Sequence, residues 1–375
     1  MSKTPAVLVC DAETGNLEIA GLTVLDRLVV TAHRAGCAPI TIIAETPARL
    51  VRAEALGVAV SFARAAPAGV NDPGYNMPPA EAGVVAGDAV PGCPTLAITA
   101  ALLVDPRDLE RVIKARGQLI SPDGSPLPVK MTTLAPPPVV AEGVTHVVVD
   151  AASAADGERK LWDSLGSSAD GAVDRYLNRP LGRLLSKILV QTSISPNAVS
   201  VASILIGLAA APFFAAGKFV TGALILQLCA IIDCVDGDLA RALFKESQLG
   251  KWLDLAGDQV VHVSIFVAIG VGVALTNRSG HALALGVSAA IGVLLCFPVI
   301  IRALRLPVDQ RGALLSKLLD STANRDFSVL LLVLALAGRM ELFLWMAGLG
   351  IHVFWIALLL LQRGRTSSGW SREPA

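Results

Sequence analysis

The sequence predicts a multidomain chain, with an N-terminal α/β domain followed by an all-α transmembrane domain of six helices. Three observations predict it. Over the 375 residues 53% are hydrophobic and the mean hydropathy is +0.61, yet charge is ordinary up to about residue 190 and apolar runs dominate after Pro196. In the first part, short Val/Ile/Leu runs alternate with helical periodicities, the pattern of helices layered on a largely parallel sheet. In the second part, most runs reach the roughly 20 residues that cross a bilayer.

The strand-like runs are Ala6–Cys10, Ile40–Ala44, Val58–Phe62, Thr95–Val104 and His146–Asp150. Helical periodicity occupies 23–35, 47–56 and 106–115. Segment 64–93, rich in Pro, Gly and Ala, is expected to be a long loop, and 121–138 a second Pro-rich excursion. This domain is taken as 1–155, with 156–195 a linker and amphipathic juxtamembrane helix, and 196–375 the membrane domain. In the juxtamembrane segment Arg175, Arg179, Arg183 and Lys187 recur every four residues, a basic stripe suited to anionic headgroups. Pro196 suits a helix start with Ser195 as its cap.

The six candidate spans are 197–216, 219–241, 252–275, 281–304, 326–338 with its continuation, and 342–361, the fifth being short and interrupted by Arg339 and Glu341. Connecting segments on one side carry nearly all the Lys and Arg; those on the other hold only Lys218, Arg278 and Arg339. The positive-inside rule then puts both termini, the N-terminal domain and the ends of the second and third spans in the cytoplasm, and the chain in the cell (inner) membrane. The N-terminus lacks the apolar core of a secretory signal. With 31 basic and 31 acidic residues the formal net charge is zero, and nothing suggests nucleic acid. Six scattered cysteines without a C-x2-C pair argue against a zinc site or a disulfide scaffold.

The chemistry concentrates in one stretch, Asp233, Asp236, Gly237, Ala240 and Arg241, then Gly250, Asp254 and Asp258, or D-x2-D-G-x2-A-R-x8-G-x3-D-x3-D. On a helix, residues three or four apart share a face, so Asp233, Asp236 and Ala240 align, and Gly250, Asp254 and Asp258 align on the next helix. A turn near Lys245–Gln248 brings the two faces together. Each carboxylate at the bilayer centre costs roughly 2.5–3.5 kcal/mol, so four cost on the order of 10 kcal/mol if unpaired. A hard divalent cation removes most of that cost, because it takes oxygen ligands of this kind.

These residues match the signature of the CDP-alcohol phosphotransferase (CDP-alcohol phosphatidyltransferase) family, which this part of the chain resembles at every defining position. The resemblance implies transfer of a substituted phosphoryl group from a CDP-alcohol such as CDP-diacylglycerol to the hydroxyl of a polar acceptor, inositol phosphate or glycerol phosphate among them, with release of CMP. It implies Mg²⁺ or Mn²⁺ held by Asp233, Asp236 and Asp254, with Asp258 as general base. It further implies that Gly237, Ala240, Arg241 and Gly250 line the nucleotide, and that the chain is a homodimer in the bilayer. Asn197 resembles the family's Pro-Asn pair, which implies a further nucleotide contact there. Arg179, Arg302, Arg305 and Lys317 are candidates for the acceptor phosphate; the competing reading is contact with anionic headgroups for Arg179 and topology-setting charge for the other three.

The first 150 residues resemble sugar-phosphate nucleotidyltransferases through Ile19–Arg27, Ile40–Ala44 and Leu103–Pro106. Those enzymes hold the triphosphate in a Gly-rich, basic loop after the first strand. Here that place is taken by Asp11-Ala-Glu-Thr-Gly-Asn-Leu-Glu18, with one glycine and no basic residue. The expectation is a degenerate domain. Two alternatives stay open: a bifunctional enzyme whose N-terminal cytidylyltransferase makes the CDP-polyol, and a cation transporter, since intramembrane carboxylates also mark ion paths.

Overall fold

Alternating buried strands and amphipathic helices build the N-terminal part as the sequence leads one to expect, but its sheet is mixed. The computed structural model describes residues 3–44, 50–64, 94–133, 135–166, 170–306, 311–322 and 326–363. The loop expected at 64–93 lies almost wholly outside them. Two compact units separate: residues 1–165 with 242–244, and residues 166–241 with 245–375.

The first unit runs β1 (Thr4–Val9), α1 (Ala12–Gly15), β2 (Glu18–Ile19), β3 (Leu22–Thr23), α2 (Val24–Arg34), β4 (Cys37–Ala44), α3 (Val51–Ala55) and β5 (Val60–Arg64). It continues with β6 (Leu96–Ile98), β7 (Leu102–Val104), α4 (Pro106–Ala115), β8 (Gln118–Ile120), β9 (Pro126–Met131), β10 (Pro138–Val140), β11 (Thr145–Val147) and α5 (Ala151–Ser164). The main sheet has the order β10-β8-β9-β6-β1-β4-β5. Strands β6, β1, β4 and β5 are parallel, whereas β9 is antiparallel to both its neighbours. Leu8, Ile40, Ile42, Leu96 and Ile98 from the sheet, with Leu25 and Leu28 from α2, are fully buried. Asp26 of α2 accepts from the backbone N–H groups of Arg52 (2.6 Å) and Ala53 (2.8 Å), serving as the cap that α3 lacks.

Two expectations fail here for physical reasons. The run Thr95–Val104 is not one strand: β6 pairs with β1, and after Thr99–Ala101 the chain leaves that sheet so that β7 pairs antiparallel with β11. Both pieces are buried, so a continuous apolar run hides the break. The Pro-rich excursion 121–138 contains β9, placed between β6 and β8. A register shift between Gln118 and Ile120 lets a strand holding Pro126 and Pro128 pair there, since proline is tolerated at irregularities in a ladder.

The second unit opens with a single π-helical turn (Asp174–Asn178) leading into α6 (Arg179–Leu189). Then come α7 (Pro196–Ala215), α8 (Phe219–Ala242), α9 (Gln248–Asn277), α10 (Ala282–Leu304), α11 (Ala313–Thr322), α12 (Asp326–Leu336) and α13 (Met340–Leu361). Among the described residues five helices, α7 to α10 and α13, are long and apolar enough to cross a membrane. The fifth predicted span is α12, with 11 residues, ended by Gly338 at φ +67°. At 1.5 Å per residue that is about 16 Å, half the hydrocarbon thickness. The six-span expectation thus resolves into five helices of spanning length and one short one.

Without a hydrophobic force between helices in lipid, small residues let backbones approach and dispersion holds them. A Cβ at Gly272 of α9 would lie 1.9 Å from the Phe214 carbonyl oxygen of α7, and one at Gly286 of α10 would lie 2.6 Å from the Phe266 carbonyl oxygen of α9. Phe214, Ile269 and Val273 around the first contact are fully buried. Replacing Gly272 with Ala is expected to force α7 from α9 at a cost of about 1–3 kcal/mol, the usual range for overpacking. Thermal unfolding in detergent checks this, and an unchanged Tm would refute the close approach.

Candidate active site

Helices α8 and α9 carry the acidic residues, and their relative placement is fixed by the short connection between them. Ser247 caps α9, its hydroxyl accepting from the Gly250 N–H at 2.9 Å. One carboxylate oxygen from each of Asp233, Asp236 and Asp254 lies within 4.8 Å of the other two. Asp236 is buried and Asp233 half-buried. Three like charges this close repel strongly, and a set made only of carboxylate oxygens fits a hard divalent cation such as Mg²⁺ or Mn²⁺. Asp258 stands one turn further along α9, half-buried and not one of the three.

Helix α7 contributes residues that the sequence reading did not single out. The Ser200 hydroxyl donates to Asp236 Oδ2, and the Ser203 hydroxyl reaches Asp233 Oδ1 at 3.5 Å. Both serines are buried. Asn197, one turn earlier, comes against Gly250: a Cβ there would lie 2.9 Å from Asn197 Oδ1. Asn197, Ser200 and Ser203 fall three residues apart in an otherwise apolar helix, a spacing that marks one polar face. That was the available signal.

Beside the carboxylates, the Arg241 guanidinium lies over Gly237, where a Cβ would come within 3.1 Å of Nη1. The absent side chain leaves room for that group. Ala240 lies on the same helix, half-buried. Arg241 Nη2 pairs with Asp238 Oδ1 at 2.9 Å, and Arg179 Nη1 donates to the same oxygen at 2.8 Å. Arg179 also binds Asp170 through Nε (2.9 Å) and Nη2 (3.0 Å). Burial lowers the proton affinity of Arg179, but Asp170 and Asp238 outweigh it and leave this guanidinium above the ordinary arginine value.

The expected basic stripe therefore needs correction. Arg175 and Lys187 are exposed, but Arg179 is turned inward, only 13% exposed and bonded to two carboxylates. It is an ion-pair residue here rather than an open phosphate contact. Asp174, Asn178, Gly182 and Ser186, four apart, form the buried face, while Leu177, Leu181, Leu184, Leu185 and Ile188 are exposed. The basic stripe is the row next to this buried face, one residue and about 100° on, so Arg179 at its inner side reaches Asp170 and Asp238 while its ends stay exposed.

The remaining acceptor candidates stand elsewhere. Arg302 and Arg305 are exposed at the end of α10, and Lys317 is exposed on α11, whose Leu315 and Leu319 share a small core with Ala303 and Leu306. Among the described residues none of the three hydrogen-bonds to the carboxylate group.

With this geometry in place, comparison with known proteins is decisive for the helical part. Residues 193–362 match the CDP-alcohol phosphatidyltransferase family. They form a CDP-alcohol phosphatidyltransferase domain. A stretch of 122 residues is 33% identical to the bifunctional IPC transferase and DIPP synthase of Rubrobacter xylanophilus, covering 32% of this chain and 28% of that protein. Another, of 96 residues, is 34% identical to the archaetidylinositol phosphate synthase of Pyrococcus horikoshii, covering 26% of this chain and 50% of that protein. The match thus spans between about a quarter and half the length of these curated relatives. The phosphatidylinositol phosphate synthase of Mycobacterium tuberculosis with CDP-DAG bound is similar at 17% identity and a TM-score of 0.38, over 52% of this chain and 100% of that one. The phosphatidyltransferase domain holds all the carboxylates, glycines and Arg241 of the motif, together with Asn197, Ser200 and Ser203.

Proposed function

We propose that this chain is an integral-membrane transferase that moves a substituted phosphoryl group from a CDP-alcohol to a hydroxyl of a polar acceptor and releases CMP. The observation that carries the reading is the convergence of three carboxylate oxygens within 4.8 Å on two adjacent apolar helices of a CDP-alcohol phosphatidyltransferase domain. Asp233, Asp236 and Asp254 would hold a divalent cation. Bound there, it supplies positive charge to the pyrophosphate and to the departing CMP. Ser200 and Ser203 orient the carboxylates. Arg241 holds a phosphate oxygen, and the bare backbone at Gly237 and Gly250 admits the nucleotide. Asp258 takes the proton from the acceptor hydroxyl as that oxygen attacks phosphorus.

Inositol phosphate is the acceptor favoured by likeness to the archaetidylinositol phosphate synthase of Pyrococcus, and CDP-diacylglycerol the donor that suits a site between membrane helices. The basic residues around the ends of α8, α9 and α10 favour a cytoplasmic site, and the family resemblance favours a homodimer. The transporter reading loses its ground with the family match, because a transporter needs neither Arg241 nor the glycines.

A second reading, that the N-terminal unit makes the CDP-alcohol, draws support from the bifunctional Rubrobacter relative. Against it, Asp11 follows β1 and caps α1, accepting from the Thr14 N–H at 2.7 Å and its hydroxyl at 2.6 Å. A carboxylate there repels a triphosphate. The degenerate domain remains the favoured reading.

Purified protein with CDP-diacylglycerol, Mg²⁺ and a panel of polyol phosphates is expected to release CMP. EDTA should abolish release, and added Mg²⁺ or Mn²⁺ should restore it. Absence of CMP with every acceptor would overturn the proposal, and CTP-dependent release of pyrophosphate would establish the bifunctional reading.

A further inference from the structure

Asp238 fills one of the unspecified places in the motif, yet it is the most deeply buried of the acidic residues on α8. Its side chain is 1% exposed. Two residues beyond Asp236, it is turned by about 200° around the helix, since each residue advances about 100°. It therefore faces away from the three clustered carboxylates. One oxygen, Oδ1, accepts from both Arg179 (2.8 Å) and Arg241 (2.9 Å). The alternation Asp170–Arg179–Asp238–Arg241 is neutral overall, which offsets the cost of burying its first three members. It ends on Arg241, whose guanidinium remains 37% exposed above Gly237.

We propose that Asp238 is a positioning residue: it fixes the Arg241 guanidinium over Gly237 so that its open edge meets a phosphate of the nucleotide donor. This rests on the transferase reading above. A long arginine side chain loses much rotamer freedom on ordering, and a partner on the protein side meets that cost before the donor arrives. Arg179, already bonded to Asp170, anchors Asp238 from the other side. Asn178 joins the same helices independently, donating to Asp174 Oδ1 (2.8 Å) and accepting from Gln227 Nε2 (2.5 Å). It supplies a control that disturbs helix docking without touching Arg241.

The test measures binding of CDP with Mn²⁺, and CMP release, in the full-length protein. Asp238→Asn is expected to weaken CDP binding and raise the donor KM by about tenfold, the equivalent of one charge-assisted hydrogen bond, with kcat changed far less. Asp238→Glu should restore binding to within about threefold, because the charge is kept. Asn178→Ala should lower Tm while leaving the donor KM within about twofold, since it removes no contact of Arg241. Unchanged CDP affinity in Asp238→Asn, or an equal loss in Asn178→Ala, would overturn the proposal and leave the transferase reading standing. A wild-type protein that neither binds CDP nor releases CMP would overturn both.

Discussion

Asp236→Asn is expected to reduce CMP release by about three orders of magnitude, because a metal ion stabilising transferred charge contributes several kcal/mol and each 1.36 kcal/mol is tenfold. The substitution keeps the shape and an oxygen able to accept from the Ser200 hydroxyl, so α7 should stay in register with α8. What it removes is one of three negative charges within 4.8 Å. Two consequences follow that separate a metal site from an ordinary acidic cluster. Mn²⁺ affinity, followed by calorimetry, should fall with activity. In the absence of metal, the Tm of Asp236→Asn should be at or above that of the wild type, since mutual repulsion is relieved. In wild type, Mn²⁺ should raise Tm by binding the folded state, and that rise should shrink in the variant. Near-normal turnover, or an undiminished rise with Mn²⁺, would count against the assignment of Asp236 as a ligand.

Why the acidic residues could be read from sequence while their supports could not is a matter of periodicity. Asp233 and Asp236 sit three apart on one helix, and Asp254 sits on the next, joined to the first by a connection of five residues. Spacing of that kind fixes a face, and two faces with a short turn fix a meeting point. Asp238 lies two residues from Asp236, so the same rule takes it off the carboxylate face and offers only Arg241, three residues on, as a partner. Its partner Arg179 is 59 residues away, brought close by the π-helical turn and α6. Ser200 and Ser203 were legible only as a faint polar face on α7, because serine is common in membrane helices without a role.

The fold divides along the same line. Strong local signals gave the spanning helices α7 to α10 and α13 and the strands β1, β4 and β5. The short α12 is apolar enough to count as a span, but the break already legible at Arg339 and Glu341 coincides with the turn at Gly338 that ends it. Strand β9 looked like a loop because its two prolines were read as punctuation, whereas the irregular pairing of β8 makes room for them.

Asp258→Asn is the second large effect expected, and it tests proton transfer apart from metal binding. A positioned general base contributes about 10²–10⁴-fold, so CMP release should fall within that range. Asp258 stands on the same α9 face as Asp254, one turn on, but lies outside the group whose oxygens approach within 4.8 Å. Removing its charge therefore leaves the three-carboxylate set complete. Mn²⁺ and CDP should bind Asp258→Asn nearly as tightly as the wild type, whereas Asp236→Asn loses Mn²⁺ affinity together with turnover. The contrast makes the two roles separable in one pair of proteins: a ligand loses both readouts, a base loses only the rate. If Asp258→Asn also loses Mn²⁺, the residue belongs with the ligands and the acceptor proton must leave by another group. If its turnover is near normal, Asp258 is not the base, even though the three-carboxylate site stands.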